Sequence, residues 1–174
     1  MSINRSAIIE SKVRVNETQR NGSQTIPSNI IINERIALAG GTDPGEIDLV
    51  YYNRFTGIAA GVKTQFTLTG LLEDAYGNAL DFAEVIFIQV INRSNTSPNS
   101  VFVGTNDTFG VHASGEGFWL DASDRCVAGP GAFIELYAPN GIPVTASTGD
   151  GLEVETNAGS ANNAFDILIL GRSA

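Results

Sequence analysis

The side chains equipped to act on a substrate are few and scattered. His112 is the single histidine and Cys126 the single cysteine. A zinc centre takes about four ligands from closely spaced Cys and His, and neither residue has such a neighbour. Ser114 stands two positions from His112, on the same face if the stretch is a strand. An activated hydroxyl also needs an orienting acid and oxyanion donors, which that spacing does not provide. His112 is read as a loop residue. Cys126, unable to form an intrachain disulfide, is read as a small apolar packing residue or an inert thiol. Carboxylates are more numerous. Glu153 and Glu155 share one face of a strand, Glu73 and Asp74 border a loop, and two carboxyls about 5–10 Å apart suffice for glycosidic acid–base chemistry. The alternation that joins Glu153 and Glu155 sets them opposite Leu152 and Val154, so a solvent-facing pair is expected. Asp43, Glu46, Asn106, Asp107, Asp121 and Asp124 offer oxygen ligands, but not at the spacing of a calcium loop. Gly40-Gly41 lacks the lysine and helix of a phosphate loop. The expectation is a non-enzyme with no cofactor and no metal.

The elements around these residues read as short strands. Phe82-Ala83-Glu84-Val85-Ile86-Phe87-Ile88-Gln89-Val90-Ile91-Asn92 is the longest apolar stretch, rich in β-branched and aromatic residues that suit a pleated surface. It is expected near the centre of a sheet. Residues 65–71, which alternate Phe66 and Leu68 with polar neighbours, are expected to pair with it antiparallel across the loop 73–81. Residues 47–52, 100–104, 132–137, 142–146, 151–157 and 164–171 read as further strands, the last covered on both faces. Residues 53–62 read as a loop. Ala138-Pro139-Asn140-Gly141 reads as a strand stop, since Asn-Gly is a strong tight-turn signal. Residues 30–39 suit either a strand or a short helical turn.

With 19 glycines, 6 prolines and no helical stretch beyond two turns, about eight short strands point to an all-β fold, a β-sandwich or jelly roll. Residues 1–33 differ from the rest: they hold Arg5, Lys12, Arg14 and Arg20, four of the ten basic residues. They read as an extended arm or edge segment on a single domain covering 34–174.

Composition narrows the class further. The formal charge is −9, from 10 basic and 19 acidic residues, with no basic cluster beyond the N-terminal region. Phosphate neutralisation calls for concentrated Lys and Arg, so no nucleic-acid partner is expected. Charged residues make up 17% of the chain, against about 25% in an average soluble protein. No run approaches the roughly 20 apolar residues of a membrane helix, and Met1 to Ser6 opens no secretory signal, so synthesis in the cytoplasm without membrane insertion is expected.

Three groups of residues, taken together, resemble a known family. They are Asp48-Leu49-Val50-Tyr51-Tyr52-Asn53-Arg54, the stretch from Leu71 to Val85, and Phe133-Ile134-Glu135-Leu136-Tyr137-Ala138-Pro139 with Thr148-Gly149-Asp150 and the terminal Phe165 to Gly171. Their order and spacing are similar to small virion proteins of tailed bacteriophages that resemble head decoration or cement proteins. The likeness runs from about residue 46 onward and carries no functional residue to any position of this chain. It implies a structural protein on the outer capsid surface of the virion that binds the major capsid protein and forms a homo-oligomer, a trimer for preference. The alternative is a receptor- or carbohydrate-binding module at the tail or a fibre. The candidate partner contacts are Arg5, Lys12, Arg14, Arg20, Tyr51, Tyr52 and Trp119, the cations through the arm and the aromatics as exposed rings, with a core role the stronger expectation for at least Phe118 or Trp119.

Overall fold

The computed structural model describes residues 5–21, 24–96, 98–105, 108–110, 117–157 and 162–174, and in the first two strands it describes side chains at 7–10, 12 and 34–40. His112, Ser114, Asn106 and Asp107 lie outside the described residues. The chain is all β. In order, the strands are β1 (Ala7–Asn21), β2 (Gln24–Gly40), β3 (Glu46–Ile47), β4 (Leu49–Ile58), β5 (Lys63–Thr67), β6 (Thr69–Glu73) and β7 (Ala79–Asp81). They continue with β8 (Glu84–Asn92), β9 (Val101–Thr105), β10 (Arg125–Ala128), β11 (Phe133–Pro143), β12 (Gly151–Thr156) and β13 (Asn163–Arg172).

Two four-stranded antiparallel sheets form the sandwich, with orders β4-β13-β8-β11 and β5-β12-β9-β10. The final strand lies beside the first strand of each wrap, as in a jelly roll built from two Greek keys. Alternation dictates what each strand buries, because successive side chains point to opposite faces. Phe165, Ile167 and Ile169 of β13, with Ile88 and Val90 of β8, meet Leu152 and Val154 of β12, Val101 and Val103 of β9, and Phe66 of β5. Buried Asn92 closes one end: its Nδ2 donates to the carbonyls of Asn99 (2.8 Å), Ala128 (3.1 Å) and Gly129 (2.9 Å).

Some of the intervening residues of β8 and β13 are also covered, by a third layer. β1 and β2 pair from Ala7↔Leu38 to Asn21↔Gln24, and β3 joins the end of β2 in parallel. At the root of this hairpin Ala7, Ile9, Ile36 and Leu38, together with Ile47, pack on Ile86, Phe87 and Leu170. A bulge in β8 makes this possible. Leu170 is opposite Phe87 and Gly171 opposite Val85, so Ile86 is an extra residue and joins Phe87 in the outer cluster.

Several sequence expectations are corrected. Residues 65–71 do not pair with β8: β5 pairs with β12 in the opposite sheet, because a jelly roll joins strands distant in sequence. Residues 53–62 are not all loop, since β4 continues to Ile58 along the sheet edge, where polar residues face solvent. Asn140-Gly141 does not stop β11. The register shifts between Tyr137 and Ile142 and the strand resumes, so the pair forms a bulge. Gly141 there has φ 81°, and a Cβ would lie 2.8 Å from Glu84 Oε2 and 2.9 Å from Arg172 Nη2. Residues 30–39 are strand throughout, and the expected boundary at residue 33 falls inside β2.

Arg172 uses the space that Gly141 leaves. The side chain is buried, and its Nε donates to Glu84 Oε2 at 2.7 Å, with Nη2 on the same oxygen. Nη1 reaches Asp43 O and Nη2 reaches Asn140 O, each at 2.8 Å. One guanidinium thereby ties the end of β13 to β8, to the turn before β3 and to the bulge of β11.

Candidate interaction surface

Glu153 and Glu155 do share the outer face of the β5-β12-β9-β10 sheet, but the expectation of a solvent-facing pair is corrected: cations beside them leave Glu153 buried at 4% exposure and Glu155 half-buried. Lys63 Nζ is 3.0 Å from Glu153 Oε1 and 3.9 Å from Glu155 Oε2. Arg125 Nη2 is 3.5 Å from Glu153 Oε1, and its Nη1 pairs with Glu155. Two carboxylates interleaved with two cations form an ion-pair network across three strands of the sheet. Gly104 sets up this network, because the Arg125 stem crosses directly over it. A Cβ at 104 would sit 2.9 Å from Arg125 Cγ and 2.9 Å from Asp124 O. Gly104→Val is expected to cost about 1–3 kcal/mol, read as a lower melting temperature, because backbone as well as side chain must yield.

The other acids are similarly engaged. Asp74 Oδ1 accepts from the backbone N–H groups of Tyr76 and Asn78, both at 2.9 Å, in the turn between β6 and β7. Arg5 Nη2 donates to its Oδ2 at 2.6 Å. Its carboxyl is held below the usual range, first by the Asn78 amide and backbone and least by the Arg5 charge. Asp121 accepts from Ser123 N at 2.8 Å and from its hydroxyl at 2.7 Å, and Asp124 Oδ2 accepts from the backbone N–H groups of Leu120 and Asp121 at 3.1 Å. These are turn-forming contacts. Cys126 is half-buried, and burial, followed by the Asp124 charge, pushes its thiol up.

Asp166 is the most strongly perturbed carboxylate. Arg54 grips it with two bonds, Nε to Oδ1 at 2.6 Å and Nη2 to Oδ2 at 2.8 Å, while Arg93 Nε donates to Oδ2 at 2.8 Å. These bonds, Arg54 first, lower its pKa from the ordinary 3.8 to about 2 against the opposing effect of burial. A depressed folded-state value gives stability that is full above the ordinary value and is lost as pH falls through about 2. The expected contribution is about 1–2 kcal/mol, discounted because both arginines are half-exposed. Asp166→Asn should lower neutral-pH stability and flatten the decline between about pH 5 and pH 2, as measured by urea unfolding across that window.

The structure divides the expected partner contacts. Tyr51 and Trp119 are buried, at 7% and 3% exposure, and are corrected to core residues. Tyr51 meets Phe66 edge-on with centroids 6.0 Å apart, and burial raises its phenol pKa. Trp119 lies 5.7 Å from Phe118 and 6.5 Å from Phe109. Tyr52, its side chain on the opposite face of β4 from that of Tyr51, is 58% exposed, with its hydroxyl 3.4 Å from Asp166 Oδ2. Arg5 is half-buried against Asp74 and also donates to Asp48 O, so it anchors the arm to its own body. Lys12 is exposed. Arg14 and Arg20 stand opposite Ile31 and Thr25 in the ladder, and their side chains are outside the description.

What the sequence reading missed is the outer face of the β4-β13-β8-β11 sheet. Register aligns three rows across it: Val50, Leu170, Phe87 and Tyr137; then Tyr52, Leu168, Gln89 and Glu135; then Arg54, Asp166, Ile91 and Phe133. The hairpin root covers part of the first row. Beyond it, Tyr52, Phe133 and Tyr137 are exposed. An open groove of about 630 Å³ runs between residues 6–10 and this face, where Val50, Phe87, Gln89, Glu135, Leu168 and Leu170 line it. The alternation Phe133-x-Glu135-x-Tyr137, opposite in phase to Ile134 and Leu136, was the available signal.

No protein-family model matches the chain, and no curated protein sequence matches it. Among solved structures, a crystal structure of PirA is similar over 68% of this chain and 93% of that one, at 12% identity and a TM-score of 0.38. A likeness this weak says nothing about what the chain does.

Proposed function

We propose that this chain is a structural component of a tailed-bacteriophage virion, a decoration or cement protein that binds the major capsid protein on the outside of the head. The reading is carried by the β1–β2 hairpin. Its ladder runs the full length of β1, whereas its described packing on the sandwich involves Ala7, Ile9, Ile36 and Leu38 at the root. A straight hairpin of that length is ~50 Å long, and a body of residues 41–174 is ~35 Å across, so the far end reaches past the body. A rigid sandwich with a long arm suits a protein that works by bridging neighbours. The resemblance of residues from about 46 onward to virion decoration proteins supplies the setting.

Charge supports the same division of labour. Residues 1–40 carry five basic residues against three acidic, net +2, while residues 41–174 carry five against sixteen, net −11. An acidic body is suited to the exterior of a shell, and a basic arm is suited to engaging acidic neighbours. A cement protein binds the assembled shell and not the free subunits, so its loss shifts the balance toward disassembly. Phage particles lacking the chain should release their DNA at lower temperature, and adding back the purified protein should restore the wild-type threshold. Unchanged shell stability combined with lost host attachment would instead establish the tail or receptor reading.

A further inference from the structure

We infer that the open face beside the hairpin root is a receptor for the hairpin arm of a second copy of this chain, so that copies assemble by exchanging arms. The inference deepens the virion reading above, resting on it for the purpose of the assembly but not for the contact itself.

Three observations identify the occupant. The first is repetition of chemistry. In the β1–β2 register, the root pairs Ala7–Leu38 and Ile9–Ile36 belong to the face that packs on the sandwich. The same parity, continued outward, gives the ladder pairs Val13–Ile32 and Val15–Ile30. The outer arm therefore repeats at these positions the apolar pairs with which the root covers the sheet.

The second is the groove. It is bordered by β1, which ends its sheet and has no ladder partner on its outer side among the described residues. A strand laid there extends the β1–β2 sheet and keeps the same parity toward the floor. That floor continues from Phe87 and Leu170, already covered by the root, through Leu168 to exposed Tyr52 and Phe133. The uncovered part also carries Gln89, Glu135 and the Arg54–Asp166 pair, so an arm laid there meets apolar rings at Tyr52 and Phe133 and polar groups between them.

The third is charge and size. The exchanged residues 13–32 carry Arg14 and Arg20 against Glu17, net +1, and residues 41–174 carry net −11, which favours an arm on another copy's body over arm against arm. Nine outer ladder pairs make a ribbon ~30 Å by ~10 Å, and two reciprocal contacts of that size bury ~1,200 Å² in all, the lower bound for a stable interface. Each copy offers one arm and one face, so two copies satisfy each other reciprocally, and the trimer implied by the family resemblance would contain three such contacts in a ring.

The test is light scattering on the full-length protein at about 50 µM with no phage component present. Two variants accompany it. In one, residues 13–32 are replaced by Asn-Gly, which preserves the Lys12↔Asn33 pair and closes it with a two-residue hairpin turn. The other is the double substitution Tyr52→Ser, Phe133→Ser, at exposed positions. Wild type should give a mass of two or more chains, and each variant a single-chain mass with unchanged circular dichroism and a melting temperature within a few degrees of the wild-type body. A single-chain wild type overturns the exchange, as does either folded variant that keeps the wild-type mass. A single-chain wild type that still binds phage heads would sink this inference alone, whereas an arm-exchanged oligomer that does not bind heads would sink the virion reading alone.

Discussion

Glu84→Ala should destabilise the protein by about 3–5 kcal/mol, more than removal of its partner by Arg172→Met. The asymmetry follows from burial. The Arg172 side chain is 4% exposed and that of Glu84 37%. Without Glu84, a guanidinium remains inside with only the carbonyls of Asp43 and Asn140 for company, and an uncompensated buried charge is the costly product of breaking such a pair. Without Arg172, the carboxylate turns to water and the apolar methionine stem fills part of the space, so about 1–3 kcal/mol is expected. Urea unfolding of the two variants gives the comparison. Equal costs would mean that Arg172 is hydrated in solution and that the junction of β13, β8 and the β11 bulge is looser than its geometry indicates.

Phe165→Ala should cost a similar amount, about 3–5 kcal/mol, through a different mechanism. Phe165 is fully buried at the start of β13 and stacks on Phe55 of β4 at 4.9 Å, which in turn meets Phe66 of β5 edge-on at 5.6 Å. Removing the ring forfeits its transfer free energy and leaves a cavity between strands fixed by ladders on both sides, which limits collapse. The loss should appear as a lower denaturation midpoint with an unchanged slope, since the residue packs a formed sandwich and does not alter the unfolded chain. Phe165→Leu should recover more than half of it.

The parts of the fold legible in the sequence are those where composition leaves one physical option. β8 and β13 are apolar on one face and largely so on the other, which Gln89 and Asp166 interrupt, and each lies between two other strands of one sheet. Their second faces are buried at Ile86, Phe87 and Leu170 because the hairpin root and β3 lie on them, a long-range contact that no local pattern encodes. The pairing of residues 65–71 with β8 was misread for the same reason: nearness in sequence favours a hairpin, and the jelly-roll wrap puts the two in opposite sheets. Asn140-Gly141 shows a different limit. Gly141 has the positive φ that makes Asn-Gly a turn signal, yet the same freedom serves a bulge when Glu84 and Arg172 occupy the adjacent space.

The candidate surface was legible only in part. Tyr51 and Tyr52 are neighbours on β4, so alternation requires their side chains to lie on opposite faces. Which one is exposed depends on the facing Phe66, which the sequence does not place beside them. Trp119 is a large ring in a short aromatic stretch, a description that fits a core anchor and an exposed contact equally well. The arm was read from its polarity and charge, but its length emerged from the ladder, since residues 16–21 and 24–29 carry little apolar pattern and pair nonetheless.

Cryo-electron microscopy of the intact virion tests the central claim most directly. The account predicts density for the sandwich on the outer surface of the head, with the hairpin arm of each copy crossing to a neighbouring one. Density for the chain only at the tail or a fibre tip, or its absence from the particle, would contradict it.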